Sequence, residues 1–163
     1  MENMYLIDRV SIAESFVFER FNGIPDQKWR TRAIYHSHAV SLLCVLFARK
    51  RGLDPEIAAI AGLLHDFYAY EQMDYTDHAH RGAVRAGEVL EERGWTTEEE
   101  KAQIMSAIYH HDDLMTEDDP MDELLKDADL IDNAMSNPSR AVRPDQVPRI
   151  AKICRELGLP FVE

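Results

Sequence analysis

At 163 residues the chain has the length of one globular domain and can bury a full core without disulfides. Hydrophobic residues make up 45% and charged residues 29%, and no apolar run approaches the roughly 20 residues that span a bilayer, which speaks against a membrane protein. The formal net charge of -12 speaks against long polyanions such as duplex DNA or RNA, whose binding needs a basic patch, and favours a small substrate.

Apolar spacings of three and four recur throughout and strand-type alternation is scarce, so the expectation is a single all-α domain over residues 1–163. Met1-Glu2-Asn3-Met4 carries neither the basic region nor the apolar core of a secretory signal, which points to the cytoplasm. A first helix is expected over about residues 4 to 21, with Leu6, Val10, Ala13 and Val17 on one stripe and a stop at Asn22-Gly23 before Pro25. A second runs from about Asp26 to Lys50, apolar almost all round from Ala39 to Ala48, as a central helix needs, and ends at Gly52. Asp54 and Pro55 open a third, which turns Ile57, Ala61 and Leu64 inward.

After Asp66, the run Phe67-Tyr68-Ala69-Tyr70 and the polar stretch to Asp77 read as a helix end followed by a loop. A fourth helix over about residues 79 to 93 places Ala83, Ala86, Gly87 and Leu90 against a close neighbour and stops at Gly94. Thr97 and Glu100 form a capping box for the fifth, in which Ile104, Ala107, Ile108 and His111 share a buried stripe. Most of the acidic stretch from Asp112 to Asp127 reads as a solvated loop and helix start, without the spacing of a calcium loop. A sixth helix from about Pro120 to Ser136 turns Leu124, Leu125, Ala128 and Ile131 inward, and a short last one over about residues 145 to 157 is a packing element. Cys44 and Cys154 lie far apart and read as core residues.

All seven histidines fall between residues 36 and 111, six of them in close pairs. Residues two apart on a helix point about 200° from each other, so one member of each of the pairs His36/His38 and His78/His80 faces inward. His36 shares a stripe with Val40, Leu43 and Phe47, but this helix is too evenly apolar for periodicity to choose between His36 and His38. His65 follows Ala61 and Ala58 at helical spacing and so faces a neighbour, with Asp66 beside it. An imidazole and a carboxylate together make a metal-ligand pair, and the carboxylate can bridge two cations through its two oxygens. On the sixth helix, periodicity leaves Asp127 and Asp129 equally placed.

The runs Tyr35-His36-Ser37, Gly62-Leu63-Leu64-His65-Asp66 and Asp127-Ala128-Asp129 resemble the H…HD…D signature of HD-domain proteins, over about residues 30 to 133. The resemblance implies a helical bundle of six to seven helices and prefers Asp129. A subset of that family holds two metals with two further histidines. His78-Ala79-His80-Arg81-Gly82-Ala83 is similar to its HAxxGA segment, which selects His78, and Ala107-Ile108-Tyr109-His110-His111 to its AIxxH helix end, which selects His111. The implied ligands are His36, His65, Asp66 and Asp129 for one ion and Asp66, His78 and His111 for the other, leaving His38, His80 and His110 as exposed or supporting residues.

The expectation is a metal-dependent phosphohydrolase in which His65 and Asp66 are central to catalysis and a metal-activated water is the nucleophile. Two divalent ions are expected, with iron or manganese favoured and cobalt, zinc or magnesium able to serve. The chain is similar in motif to the branch that includes the bacterial diadenosine tetraphosphate hydrolases. Many relatives carry a Lys where this chain has Ala69, so Arg81, Arg85 or Lys126 would meet the substrate phosphate. The expected partner is a small phosphorylated metabolite or nucleotide, with no nucleic-acid polymer and no membrane; a homo-oligomer is left open. The alternatives are a mixed-valence di-iron oxygenase of the HD type and a non-catalytic domain that senses a ligand through its metal pocket.

Overall fold

Aspartate precedes six of the eight helices described, and at three of them its short carboxylate accepts backbone N–H groups that a first turn leaves unpaired. The structure, a computed structural model, describes residues 8–161 and consists there of helices and their connections, with no strand among the described residues. The helices are α1 (Arg9–Asn22), α2 (Gln27–Arg51), α3 (Pro55–Leu64), α4 (Phe67–Gln72), α5 (His78–Arg93), α6 (Glu98–His110), α7 (Pro120–Met135) and α8 (Val147–Leu157). The carboxylates of Asp8, Asp26 and Asp54 cap α1, α2 and α3, and Thr97 with Glu100 closes the expected capping box on α6. The start expected near residue 4, and Leu6 with it, lie outside the described residues.

The bundle is built around α3, which is buried from Ile57 to Leu64 and lies against α1, α2, α4, α6 and α7. A helix that short and apolar has no solvent face, so it organises the helices around it. α2 packs along α3 and α7, and α6 packs against α5 and α7. At Gly62 the α2 and α3 backbones nearly touch: a Cβ there would lie 2.7 Å from the Ser41 Cα, closer than any side chain allows. Cys44 and Cys154 are buried free thiols, as expected of core residues.

One expectation needs correction. The run after Asp66 is not the tail of α3 but a separate helix, α4, too short for periodicity to reveal, which buries Phe67, Ala69 and Tyr70 and ends at Met73 in the left-handed region with φ 51°; the polar stretch from there to Asp77 is the expected connection. This helix brings the count to eight among the described residues, against six to seven expected. Most of the acidic stretch is solvated, as expected, with two buried exceptions. Asp127 is buried and holds Arg51 and Arg149, each at 2.6 Å, tying α7 to α2 and α8, while Asp122 is buried and accepts the Ser106 hydroxyl at 3.0 Å. Among the described residues no helix is long and apolar enough to cross a membrane.

Candidate metal centre

The histidines singled out in the sequence sit at helix ends and on inner faces. His36 lies on the inner face of α2, His65 ends α3, Asp66 precedes α4, His78 is the first residue of α5, His111 ends α6, and Asp129 lies in α7. The structure brings all six together. Gly82 makes this possible on the α5 side, since a Cβ there would stand 3.2 Å from the His65 carbonyl oxygen.

Each ring is oriented by its outer nitrogen. The Nδ1 atoms of His65, His78 and His111 donate to the carbonyls of Gly62 (2.7 Å), Tyr75 (3.0 Å) and Ile108 (2.6 Å), and that of His36 donates to the Asp132 carboxylate at 2.6 Å. A carbonyl can only accept, so Nδ1 carries a proton and Nε2 is the nitrogen left facing inward, the one that can ligate a metal once it has no proton of its own.

The inward atoms form two groups that share one carboxylate. Asp66 Oδ2 lies 3.6 Å from His36 Nε2 and 3.5 Å from His65 Nε2; Asp66 Oδ1 lies 3.5 Å from both His78 Nε2 and His111 Nε2. Asp129 Oδ1 adds a contact of 3.0 Å to His36 Nε2 and one of 3.6 Å to His65 Nε2. In the groups His36–His65–Asp66 and Asp66–His78–His111 the donor atoms lie within 4.8 Å of one another, close enough to hold an ion each.

The electrostatics are those of charges gathered out of water. Burial disfavours the charged forms of His36, His65, Asp66 and Asp129, but their neighbours outweigh it. Asp66 and Asp129 hold the His65 ring well above the ordinary imidazole range, and Asp129 and Asp132 raise His36 against the opposing influence of His65. In return His65 and His111 hold Asp66 well below the usual carboxylate range, and His36 and His65 do the same for Asp129. Protons alone leave this arrangement incomplete. Asp66 Oδ1 is buried without a hydrogen-bond partner, and the Nε2 atoms of His36 and His65 converge to 3.1 Å, an arrangement that a cation held between these atoms would complete. The residues therefore fit a divalent cation in each group.

Comparison with known proteins places the chain. The HD domain family matches residues 33–134, which include all six of these residues. This chain is an HD-domain protein. Over 112 residues, 69% of its length, it is 32% identical to a ribonuclease Y from Chlorobium luteolum, of which it spans 20%. A crystal structure of a predicted HD superfamily hydrolase from an uncultured Thermotogales bacterium aligns with a TM-score of 0.63 at 24% identity, covering 94% of both chains, and shares the fold.

In this HD domain the three cationic residues expected to meet a phosphate are placed differently from one another. Lys126 is fully buried, and its ammonium donates to the Thr116 carbonyl (2.8 Å), Asp118 (2.6 Å) and Glu123 (2.9 Å), which uses all three of its N–H groups. It is a structural ion pair, and the substrate role expected of it is corrected. Arg85 clasps Glu71 with two nitrogens, at 2.7 and 3.0 Å, and reaches Glu88 as well. Arg81, exposed, reaches the Tyr68 hydroxyl at 3.2 Å. His38 and His80 are half exposed and pair with Glu14 and Asp77, and His110 meets Asp122 at 3.1 Å.

The supporting layer of the HD domain escaped sequence reasoning. Asp132, three residues after Asp129, anchors His36; Asn133, four after it, donates to Asp129 Oδ1 at 2.9 Å and is itself held by Arg32 at 2.6 Å. The i+3 and i+4 spacing from Asp129 was the available signal, since those positions share its face of the helix.

Proposed function

We propose that this HD domain is a metal-dependent phosphohydrolase acting on a small phosphorylated metabolite or nucleotide. The observation that carries the reading is Asp66, a buried carboxylate whose two oxygens are divided between two imidazole pairs. When bound, two divalent ions there would lower the pKa of a water and polarise a phosphoryl oxygen. The six residues hold the site: Asp66 joins its halves, His36, His65 and Asp129 form one side, and His78 and His111 the other. Their anchored rings keep the donor atoms preorganised, so little reorganisation is needed to load the site. The donors are nitrogen and oxygen only, which suits iron or manganese and admits cobalt, zinc and magnesium.

A cavity of about 280 Å³ adjoins His111 and Asp129, just under the usual range for small-molecule sites, which supports a small metabolite over a polymer. The HAxxGA-like and AIxxH-like segments favour, within this reading, the branch of the diadenosine tetraphosphate hydrolases. One observation supports a second reading, a di-iron oxygenase: Ala69 stands where many phosphohydrolases carry Lys, and Lys126 is not available to replace it. The deciding experiment is a panel of mononucleotides, dinucleoside polyphosphates, sugar phosphates and single-stranded oligonucleotides, assayed with each metal in turn. Phosphate release from a small compound is expected. Cleavage confined to oligonucleotides would refute the size argument, and oxygen consumption without phosphate release would move the protein to the oxygenase class.

A further inference from the structure

The cavity beside the cluster has a second wall that no sequence motif announces. His111 and Asp129 line one side, and Arg140 and Arg143, from the connection between α7 and α8, line the other. The connection is docked: Val142, between the two arginines, packs partly buried against the core alongside Leu114 and Ala134. Backbone turns close it on either side, with Arg140 N–H donating to the Asn137 carbonyl and Gln146 N–H to the Arg143 carbonyl, both at 2.9 Å. Its arginines thus line the cavity from backbone that turns and packing hold in place.

The two arginines differ in how committed they are. Arg143 pairs with Asp145 at 3.0 Å, whereas the Arg140 guanidinium meets no carboxylate among the described residues, in a chain whose net charge is -12. Guanidinium is the side chain best shaped to receive a phosphate or carboxylate through two parallel N–H groups. The wall also carries Asp112, so an anion there needs a positive partner of its own, distinct from the metal ligands. At about 280 Å³ the cavity has room for roughly nine waters' worth of ligand, enough for one further ionised group and the atoms that link it to the first.

We propose that Arg140, assisted by Arg143, receives a second anionic group of the substrate, a phosphate or carboxylate, while the reacting phosphoryl group occupies the His–Asp cluster. The inference rests on the phosphohydrolase reading for what occupies the cluster. It makes Arg140 a specificity-determining residue, selecting compounds with two anionic groups over simple monoesters.

The test is calorimetry on the metal-loaded full chain with three non-hydrolysable probes: butylphosphonate, its terminally bis-phosphonated counterpart, and its terminally carboxylated counterpart. The second anion is expected to improve affinity by about tenfold, the contribution of one charge-assisted contact. The better of the two doubly charged probes identifies the group. Arg140→Ala should abolish the gain while leaving butylphosphonate affinity and metal content unchanged, Arg140→Lys should keep part of it, and Arg143→Ala should lose less. Three results would overturn the subsite: doubly charged probes that bind no better than butylphosphonate, a gain that survives Arg140→Ala, or an Arg140→Ala variant that weakens butylphosphonate equally. Absence of hydrolysis on every phosphoester, with the Arg140-dependent gain intact, would sink the phosphohydrolase reading and leave the subsite standing.

Discussion

At the scale of single residues, the centre depends on how each donor is held as much as on the donor itself. Asp66 has no neutral substitute, because both its oxygens face imidazole nitrogens, so Asp66→Ala should lose essentially all metal by elemental analysis while keeping its helical circular dichroism. A variant that binds metal like the parent would remove the assignment. His78→Ala and His111→Ala should each lower the content from about two ions per chain toward one, and His80→Ala should change it little, since His80 faces Asp77 and stacks on Tyr109. Equal losses from the His78 and His80 variants would count against the ligand assignment. Asp132→Ala is expected to weaken metal binding by about 10- to 100-fold, the usual penalty for losing the group that orients a ligand imidazole.

The charges of the centre also give it a pH dependence. Asp66 and Asp129 titrate lower in the folded protein than in the unfolded chain, so what they contribute is present above about pH 4 and fades as pH falls toward their folded values. His36 and His65 titrate higher, so their contribution is complete below about pH 6.5 and is lost as pH rises through their folded values. Metal displaces those imidazole protons. Metal-free protein should therefore melt at falling temperature as pH rises from about 6.5, while the stabilisation by added metal grows over the same interval. Thermal melts with and without metal check both, and a metal-free melting temperature that climbs with pH would contradict the charge assignment. In sequence, residue type and helical phase were enough to expect His65 and His111 to face inward, and the family resemblance selected His36, His78 and Asp129. Asp132, Asn133 and Arg32 stayed illegible because acidic and amide side chains on a helix ordinarily face water.

Among the elements, close approach decides what can vary. Gly62→Ala would drive a methyl group into the Ser41 backbone, which cannot swing aside as a side chain can, so a loss of about 2 kcal/mol or more in denaturant unfolding is expected, with reduced metal content because Gly62 also positions His65. An unaltered midpoint would mean that α2 and α3 have slack. Seven of the eight helices were legible from caps and apolar spacing, since Asp54, Thr97, Gly52 and Gly94 mark their ends in the sequence as they do in space. The eighth, α4, was not. With six residues it spans under two turns, and the left-handed Met73 that closes it is a residue type that gives no warning of such a turn.

Over the whole molecule, periodicity could say which side chains turn inward but not which helix ends meet. The joining of α3, α5 and α6 through Asp66, His78 and His111 is a property of packing around α3, and the cavity wall bearing Arg140 depends on where Val142 docks. The ligands are dispersed from residue 36 to residue 129, on elements that are distant along the chain, and this dispersion has a kinetic consequence. An ion can find its full set of donors only after α2, α3, α5, α6 and α7 have already assembled, because closing such long loops is costly before the contacts exist to reward it. Metal should therefore act after the folding barrier, slowing escape from the native state and leaving the refolding rate unchanged. In stopped-flow chevrons recorded with and without metal, the unfolding limb is expected to drop and the refolding limbs to superimpose; the ion would serve as a latch on the finished bundle, with no part in nucleating it.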